Sequence, residues 1–466
     1  MTDMRVGLSI SGMTKPGLAH SLLRRPLSSA IAGWRRHRDL LANASSLVAA
    51  TVMTSVLGFG YWALAARVFS QEAIGYGSAA ISAMTLLGTI GMFGLGTVLI
   101  GELPRREPSP HRAGLVSAAL LTSGLGSLAL GLGFCLVAPY ISDSFANMVG
   151  TLGKTILFAV GVMLTAASMV FDQATIGLMR GGLQLSRNLA FSIAKIIILP
   201  ASAVLLHDEF GTGIIFSWVT GTALSMIPTA IRLRVGGTQV FPRPDWGVLR
   251  RLRRTAVAHN WLNLAIQIPW LMLPVLVTIV VSPSANAAFY IAWVLTNFLY
   301  IVPSHLSTVL FAIAAADPEA VAPKLRFSLR LCLIIGLPGM LFLGLGAHLA
   351  LSLFGADYAR TATLALWLLV VGYLPAIPRA HYIAVCRANG KISRAAGILT
   401  TTAAVKILAA ALGGASGGLK GLSFALLVTS LLESFVTTPT VIRAATGQGR
   451  RRREGSSSPD FSGEKK

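Results

Sequence analysis

Twelve apolar stretches alternate with short polar segments along the chain. Each is long enough to cross the roughly 30 Å of a bilayer's hydrocarbon as a helix. They fall at about 44–66, 74–100, 113–139, 153–178, 189–206, 212–231, 256–281, 285–314, 328–354, 361–386, 395–412 and 421–442. No other feature restricts the fold as tightly. Backbone amides in lipid must pair within their own segment or in a closed barrel. Nothing in the sequence alternates apolar and polar residues as a barrel strand does. The expected fold class is therefore an all-α polytopic membrane protein with about 12 transmembrane helices. Charged residues make up 12% of the chain, about half the share of a soluble domain.

The charges also orient the helices. With the N-terminus in the cytoplasm, 32 of the 39 Lys and Arg residues fall on that side, in alternate loops and at both ends. The opposite side holds only Arg67, Lys154, Arg360 and Lys420, and Lys195, Arg379 and Lys406 fall at membrane depth. This is the bias of the positive-inside rule, and it places both termini in the cytoplasm. A net charge of +22 spread over alternate loops, rather than gathered on one domain, argues against a nucleic-acid partner.

The expected organisation is a basic cytoplasmic segment at 1–43, a six-helix lobe at 44–234, a basic cytoplasmic linker at 235–255, a second six-helix lobe at 256–443 and a disordered tail at 444–466. The first segment contains SLLRRPLSSAIAGWRRHRDLL, which suits either a helix lying on an anionic leaflet or a solvated basic tail. It lacks the pattern of a secretory signal. Cys135, Cys332 and Cys386 are too few for a disulfide framework and are expected to be reduced.

The halves repeat. RGGLQLSR at 180–187 matches RANGKISR at 387–394, GTVLI at 96–100 matches STVLF at 307–311, Ala79-Ala80 match Ala287-Ala288, and Lys195 matches Lys406, all at offsets of 207–211. Six helices per repeat is an even number. The two lobes should therefore share one orientation about an axis along the membrane normal, with a central cavity between them.

Ionisable groups at bilayer depth cost on the order of 3 kcal/mol and need partners or water. Asp172 and Lys195 lie on either side of the expected 179–188 turn and are expected to pair, as are Lys406 and Glu433. Arg379, after Pro375 and Pro378 and beside His381, has no obvious partner. These groups either brace helices or meet cargo and ions. The candidate substrate-binding set is Arg379, Lys195, Lys406, His259, Asn260, Asn263, Gln267 and Asn297, and Asp172 and Glu433 are the candidate ion-coupling or bracing acids. Asn260, Asn263 and Gln267 recur at helical spacing, as a cavity-facing stripe would. There is no phosphate-binding loop, zinc-protease motif, Cys/His cluster or nucleophile elbow. The chain reads as a transporter rather than an enzyme, with no cofactor or metal, driven by an ion gradient or by its substrate's own gradient.

The stretch SSLVAATVMTSVLGFGYWALAARVFSQEAIGYGSAAISAMTLLGTIGMFGLGTVLIGELPR, and after it FDQATIGLMRGGLQLSRNLAFSIAKI, resemble the Wzx-type oligosaccharide flippases of the multidrug/oligosaccharidyl-lipid/polysaccharide exporter superfamily. The resemblance covers about 44–442. It implies two pseudo-symmetric six-helix lobes in the arrangement of the MATE drug exporters. It also implies movement of a polyprenyl-pyrophosphate-linked oligosaccharide across a bacterial plasma membrane, with H+ or Na+ coupling. A glycan polymerase or glycosyltransferase would be its partner. Coupling acids in drug-exporting relatives lie inside a lobe, where Asp172 and Glu433 fall. The lipid II branch carries basic residues deep in its first two helices, whereas here those helices offer only Arg67 at the outer end. Two rivals stand beside this reading. A drug or cation exporter would want an acidic, aromatic cavity. A membrane glycan polymerase or ligase would want a large outer loop with Arg and His, and the longest one here, 140–152, has neither.

Overall fold

The computed structural model describes residues 53–104, 110–178, 180–206, 210–235, 243–316 and 321–447. The basic segment 1–43 and the tail beyond Gly447 lie outside the described residues, as does the first part of the linker at 236–242.

All regular structure among the described residues is helical. The first lobe comprises α1 (residues 53–68), α2 (Gln71–Gly91), α3 (Leu95–Glu102), α4 (Pro110–Ile141), the short α5 (Asp143–Val149), α6 (Leu152–Gly177), α7 (Gly181–Leu205) and α8 (Thr212–Val235). The second comprises α9 (Trp246–Val280), α10 (Pro283–Ala316), α11 (Val321–Leu345), the short α12 (Ala347–Ser352), α13 (Ala356–Val371), α14 (Tyr373–Ala388) and α15 (Ile392–Ala445). Among the described residues, eight helices are long and apolar enough to cross a membrane, and α13 with α14 adds a ninth span bent by 43°. α15 is two limbs folded at Gly417–Gly418. These elements are consistent with the twelve expected spans. Large apolar side chains such as Ile197, Phe342 and Phe435 stand well exposed on the outside of the bundle, as hydrocarbon contact requires.

Two breaks interrupt runs that read as continuous, and a third falls in the gap expected between 395–412 and 421–442. Phe93 (φ 48°) and Gly94 (φ 73°) separate α3 from α2. Gly372 bends α13 into α14, and Gly418 (φ 57°, ψ −145°) turns α15 back on itself, a conformation essentially confined to glycine. α9 begins at Trp246, so the second half of the expected linker is a helical extension of the seventh span.

α2 is the inner helix of the first lobe, packed on α4, α6 and α8, and it also meets α9 and α10 of the second lobe. Its small residues permit this. Gly75 lies so near Pro283 that a Cβ there would be 1.8 Å from the carbonyl oxygen. Asn286 donates from Nδ2 to the Gly75 carbonyl (2.8 Å) and contacts Ser78 Oγ at 3.0 Å. Ser78 and Asn286 occupy the same place in the repeat, next to the matching alanine pairs. They meet as residues do across a two-fold axis. At the other end of the bundle Asn263 of α9 donates to Thr97 Oγ1 of α3 (3.0 Å). The lobes thus touch at both ends and enclose space between.

Candidate functional site

The ionisable groups at membrane depth are placed by two helix hairpins. In the first lobe the turn between α6 and α7 is only three residues, 178–180, not the ten of 179–188, because Gly181 already starts α7. Asp172 lies five residues before the end of α6, and the residue at its depth on α7 is Arg187, six residues in. The two form a bidentate pair, Nε to Oδ1 at 2.7 Å and NH2 to Oδ2 at 2.6 Å. Arg187 also contacts the side chains of Asn188 and Ser225. The expected Asp172–Lys195 pair does not form. Lys195 is two helical turns deeper, roughly 21 Å along α7 at 1.5 Å per residue.

Lys195 is 4% exposed. Among the described residues no carboxylate lies within ion-pair distance of it. Its ammonium is surrounded instead by aromatic rings, 4.1 Å from the centroid of Trp218, 4.6 Å from Phe191 and 4.7 Å from Tyr61. It borders a cavity of about 200 Å³ between the lobes, whose other walls include Thr54, Ser55 and Trp62 of α1 and Asn297 and Phe298 of α10. Of the candidate substrate residues, Asn297 alone joins Lys195 there.

The second lobe places three charges together. Lys406 is also roughly 21 Å from the start of its helix, fourteen residues after Ile392 as Lys195 is after Gly181. Folding α15 at Gly418 brings Glu433 alongside, and Lys406 Nζ meets Glu433 Oε2 at 2.9 Å. Glu433 Oε1 accepts from Arg379 Nε (3.0 Å) and from Thr402 Oγ1 (3.0 Å). Arg379 therefore has a partner after all, and it also reaches the Ile266 carbonyl at 3.4 Å. Arg379 and Lys406 both lie near the Trp270 ring. His381 is taken up by Ser328 and the Ile377 carbonyl, within its own lobe.

The amides of the α9 stripe differ in their surroundings. Asn263 ties Thr97 to Arg387, whose NH2 reaches Asn263 Oδ1 at 3.5 Å. Asn260 is half-buried with an unpartnered Oδ1, and Gln267 is exposed. His259 lies within α9, but its side chain is outside the described residues.

Arg187, Trp218, Tyr61 and Asn286 carry parts of this arrangement that the sequence reading passed over. A signal did exist for one of them. GGLQLSRNLAFSIAK has no proline or further glycine after its first two residues, so the helix could have been started at 181 and Arg187 placed opposite Asp172. The charge balance is the same in both lobes. Asp172 cancels Arg187 and leaves Lys195, and Glu433 opposes Arg379 and Lys406 together. Among these described groups, each lobe thus has one cation more than it has acids.

No protein-family model matches the chain, and no curated protein sequence matches it. Solved structures do. An inward-facing multidrug-resistance transporter of the MATE family, in the MOP superfamily, aligns with a TM-score of 0.63 at 16% identity, covering 84% of this chain and 94% of that one. The lipid II flippase MurJ in an inward closed conformation also gives 0.63, at 14% identity, covering 86% and 89%. A MOP-superfamily transporter from Pyrococcus furiosus gives 0.52 at 15% identity, covering 90% and 95%. The protein is a multi-pass membrane protein with the MATE-like fold that these transporters and the lipid II flippase share.

Proposed function

We propose that the chain is a flippase that carries a polyprenyl-pyrophosphate-linked oligosaccharide from the cytoplasmic to the outer leaflet of a bacterial plasma membrane, for cell-surface polysaccharide synthesis. The observation behind this is the repeated lysine. Lys195 and Lys406 lie at one depth in equivalent helices, and among the described groups in these hairpins each lobe has one cation more than it has acids. A buried surplus charge is costly, and an anionic cargo held between the lobes would offset it. Pyrophosphate is such an anion. Arg379 and Lys406 would draw it from one lobe and Lys195 from the other, while the glycan fills the polar, aromatic space and the lipid tail stays in the bilayer. Glu433 and Asp172 are each engaged by cations of their own lobe, so either would answer a coupling ion only by giving up a partner. Asp172 is held by both its oxygens in a closed pair.

The test is made on lipid extracts from cells lacking the gene and from cells complemented with it. Mass spectrometry of the deletion strain should show a completed, unpolymerised glycan–lipid that disappears on complementation and is confined to the inner leaflet. The aromatic walls around the cavity favour a second reading, an ion-coupled exporter of organic cations or drugs. An unchanged lipid pool with altered drug tolerance would select it.

A further inference from the structure

The three rings around Lys195 form a cage of the kind that binds organic cations. Faces of Trp218, Phe191 and Tyr61 converge on one point from 4.1–4.7 Å. Cation–π contacts strengthen when they are desolvated, and aromatic cages are a general way of holding quaternary ammonium groups. The cage opens on the 200 Å³ space between the lobes, with Trp62 as a further ring on its wall. Taken without Lys195, this is a cation site beside a transport cavity. With Lys195, the cation is already there and cannot leave.

The ammonium is held from three separate helices. Phe191 lies one turn before Lys195 on α7, Trp218 is on α8 and Tyr61 is on α1. Tyr61 is fixed in turn, with its hydroxyl on Ser217 Oγ at 2.9 Å. Trp218 packs edge-on against both Tyr61 and Phe191. α8 closes tightly behind the lysine, since a Cβ on Gly221 would come within 3.0 Å of its side chain. No acid among the described residues draws the ammonium aside. The matching lysine of the other lobe differs here. Lys406 is paired with Glu433 and has one ring, Trp270, at 5.5 Å.

We propose that Lys195 is a specificity-determining residue, a tethered cation that fills an aromatic cage and so bars organic cations from the cavity while leaving a positive face for an anion. This rests on the reading that the cavity is the cargo path, but cation binding and glycan transport are measured separately and can fail separately. Discrimination by an occupied site is a repulsive element added to an attractive one.

The experiment is calorimetric titration of the purified full-length protein with phenyltrimethylammonium, comparing wild type, Lys195→Met, Lys195→Arg and the Lys195→Met/Trp218→Ala double variant. Wild type and Lys195→Arg should bind at least tenfold more weakly than Lys195→Met, and removing Trp218 should abolish the gain. Equal binding by wild type and Lys195→Met would overturn the proposal, as would no gain in a Lys195→Met protein that melts like wild type. Should Lys195→Met fail to fold, Lys195→Gln, which keeps a polar end and removes the charge, is judged by the same two outcomes. The lipid-pool measurement above is unaffected by either result.

Discussion

Arg187 and Lys195 lie eight residues apart on one helix and are stabilised in different ways. Arg187 is spent on Asp172 through two charge-assisted bonds. Removing one member of a buried pair leaves an uncompensated charge and costs about 3–5 kcal/mol. Arg187→Ala should therefore lower the melting temperature of the detergent-solubilised protein sharply, and Asp172→Asn/Arg187→Gln should recover part of the loss. Lys195→Met should melt close to wild type, because it strands no acid. A Lys195→Met protein as unstable as Arg187→Ala would mean that Asp172 depends on Lys195 instead. Arg379→Ala separates folding from transport. Glu433 keeps Lys406 and Thr402, so the variant should assemble with only a modest loss of stability, yet flipping at normal protein levels should disappear. Full activity in that variant would remove Arg379 from the cargo path.

Helices were legible wherever length and hydropathy decide them, and least legible at their ends and breaks. The membrane class, the helical content and the approximate spans followed from hydrocarbon thickness. The α6–α7 turn did not, because polar residues such as Gln184, Ser186 and Asn188 read as loop although they continue a helix. That one boundary exchanged Arg187 for Lys195 as the partner of Asp172. The break at Phe93–Gly94 sits in glycine-rich apolar sequence, where nothing local tells a packing glycine from a turning one, whereas Gly418 falls in the gap expected between 395–412 and 421–442. The aromatic cage was illegible for another reason, since its rings come from three helices and only tertiary packing brings them together. Gly418 belongs to this scale. Its φ of 57° with ψ −145° is sterically closed to a β-branched residue. Gly418→Val should cost about 1–3 kcal/mol, read as a fall in melting temperature. A melt unchanged from wild type would show that the hairpin turns elsewhere.

Across the whole molecule, the lobes touch at both ends. α2 meets α10 through Gly75, Ser78 and Asn286, and α3 meets α9 through Thr97 and Asn263. A carrier that alternates must open each contact in turn. Cysteines at Thr97 and Asn263 should cross-link and stop flipping, and a reductant should restore it. The native Cys135, Cys332 and Cys386 are buried and unpaired, so they should not interfere. Flipping that continues in the fully cross-linked protein would rule out opening at this end.

The central claim is that two equivalent lysines, one per lobe, receive an anionic cargo between them. The most direct measurement is leaflet transfer of a fluorescent isoprenyl-pyrophosphate disaccharide in proteoliposomes, comparing wild type, Lys195→Met, Lys406→Met and the double variant. The account predicts transfer by wild type, a rate lowered at least tenfold in each single variant, and none in the double variant, with all four proteins folded. A folded double variant that transfers the lipid as fast as wild type would contradict it.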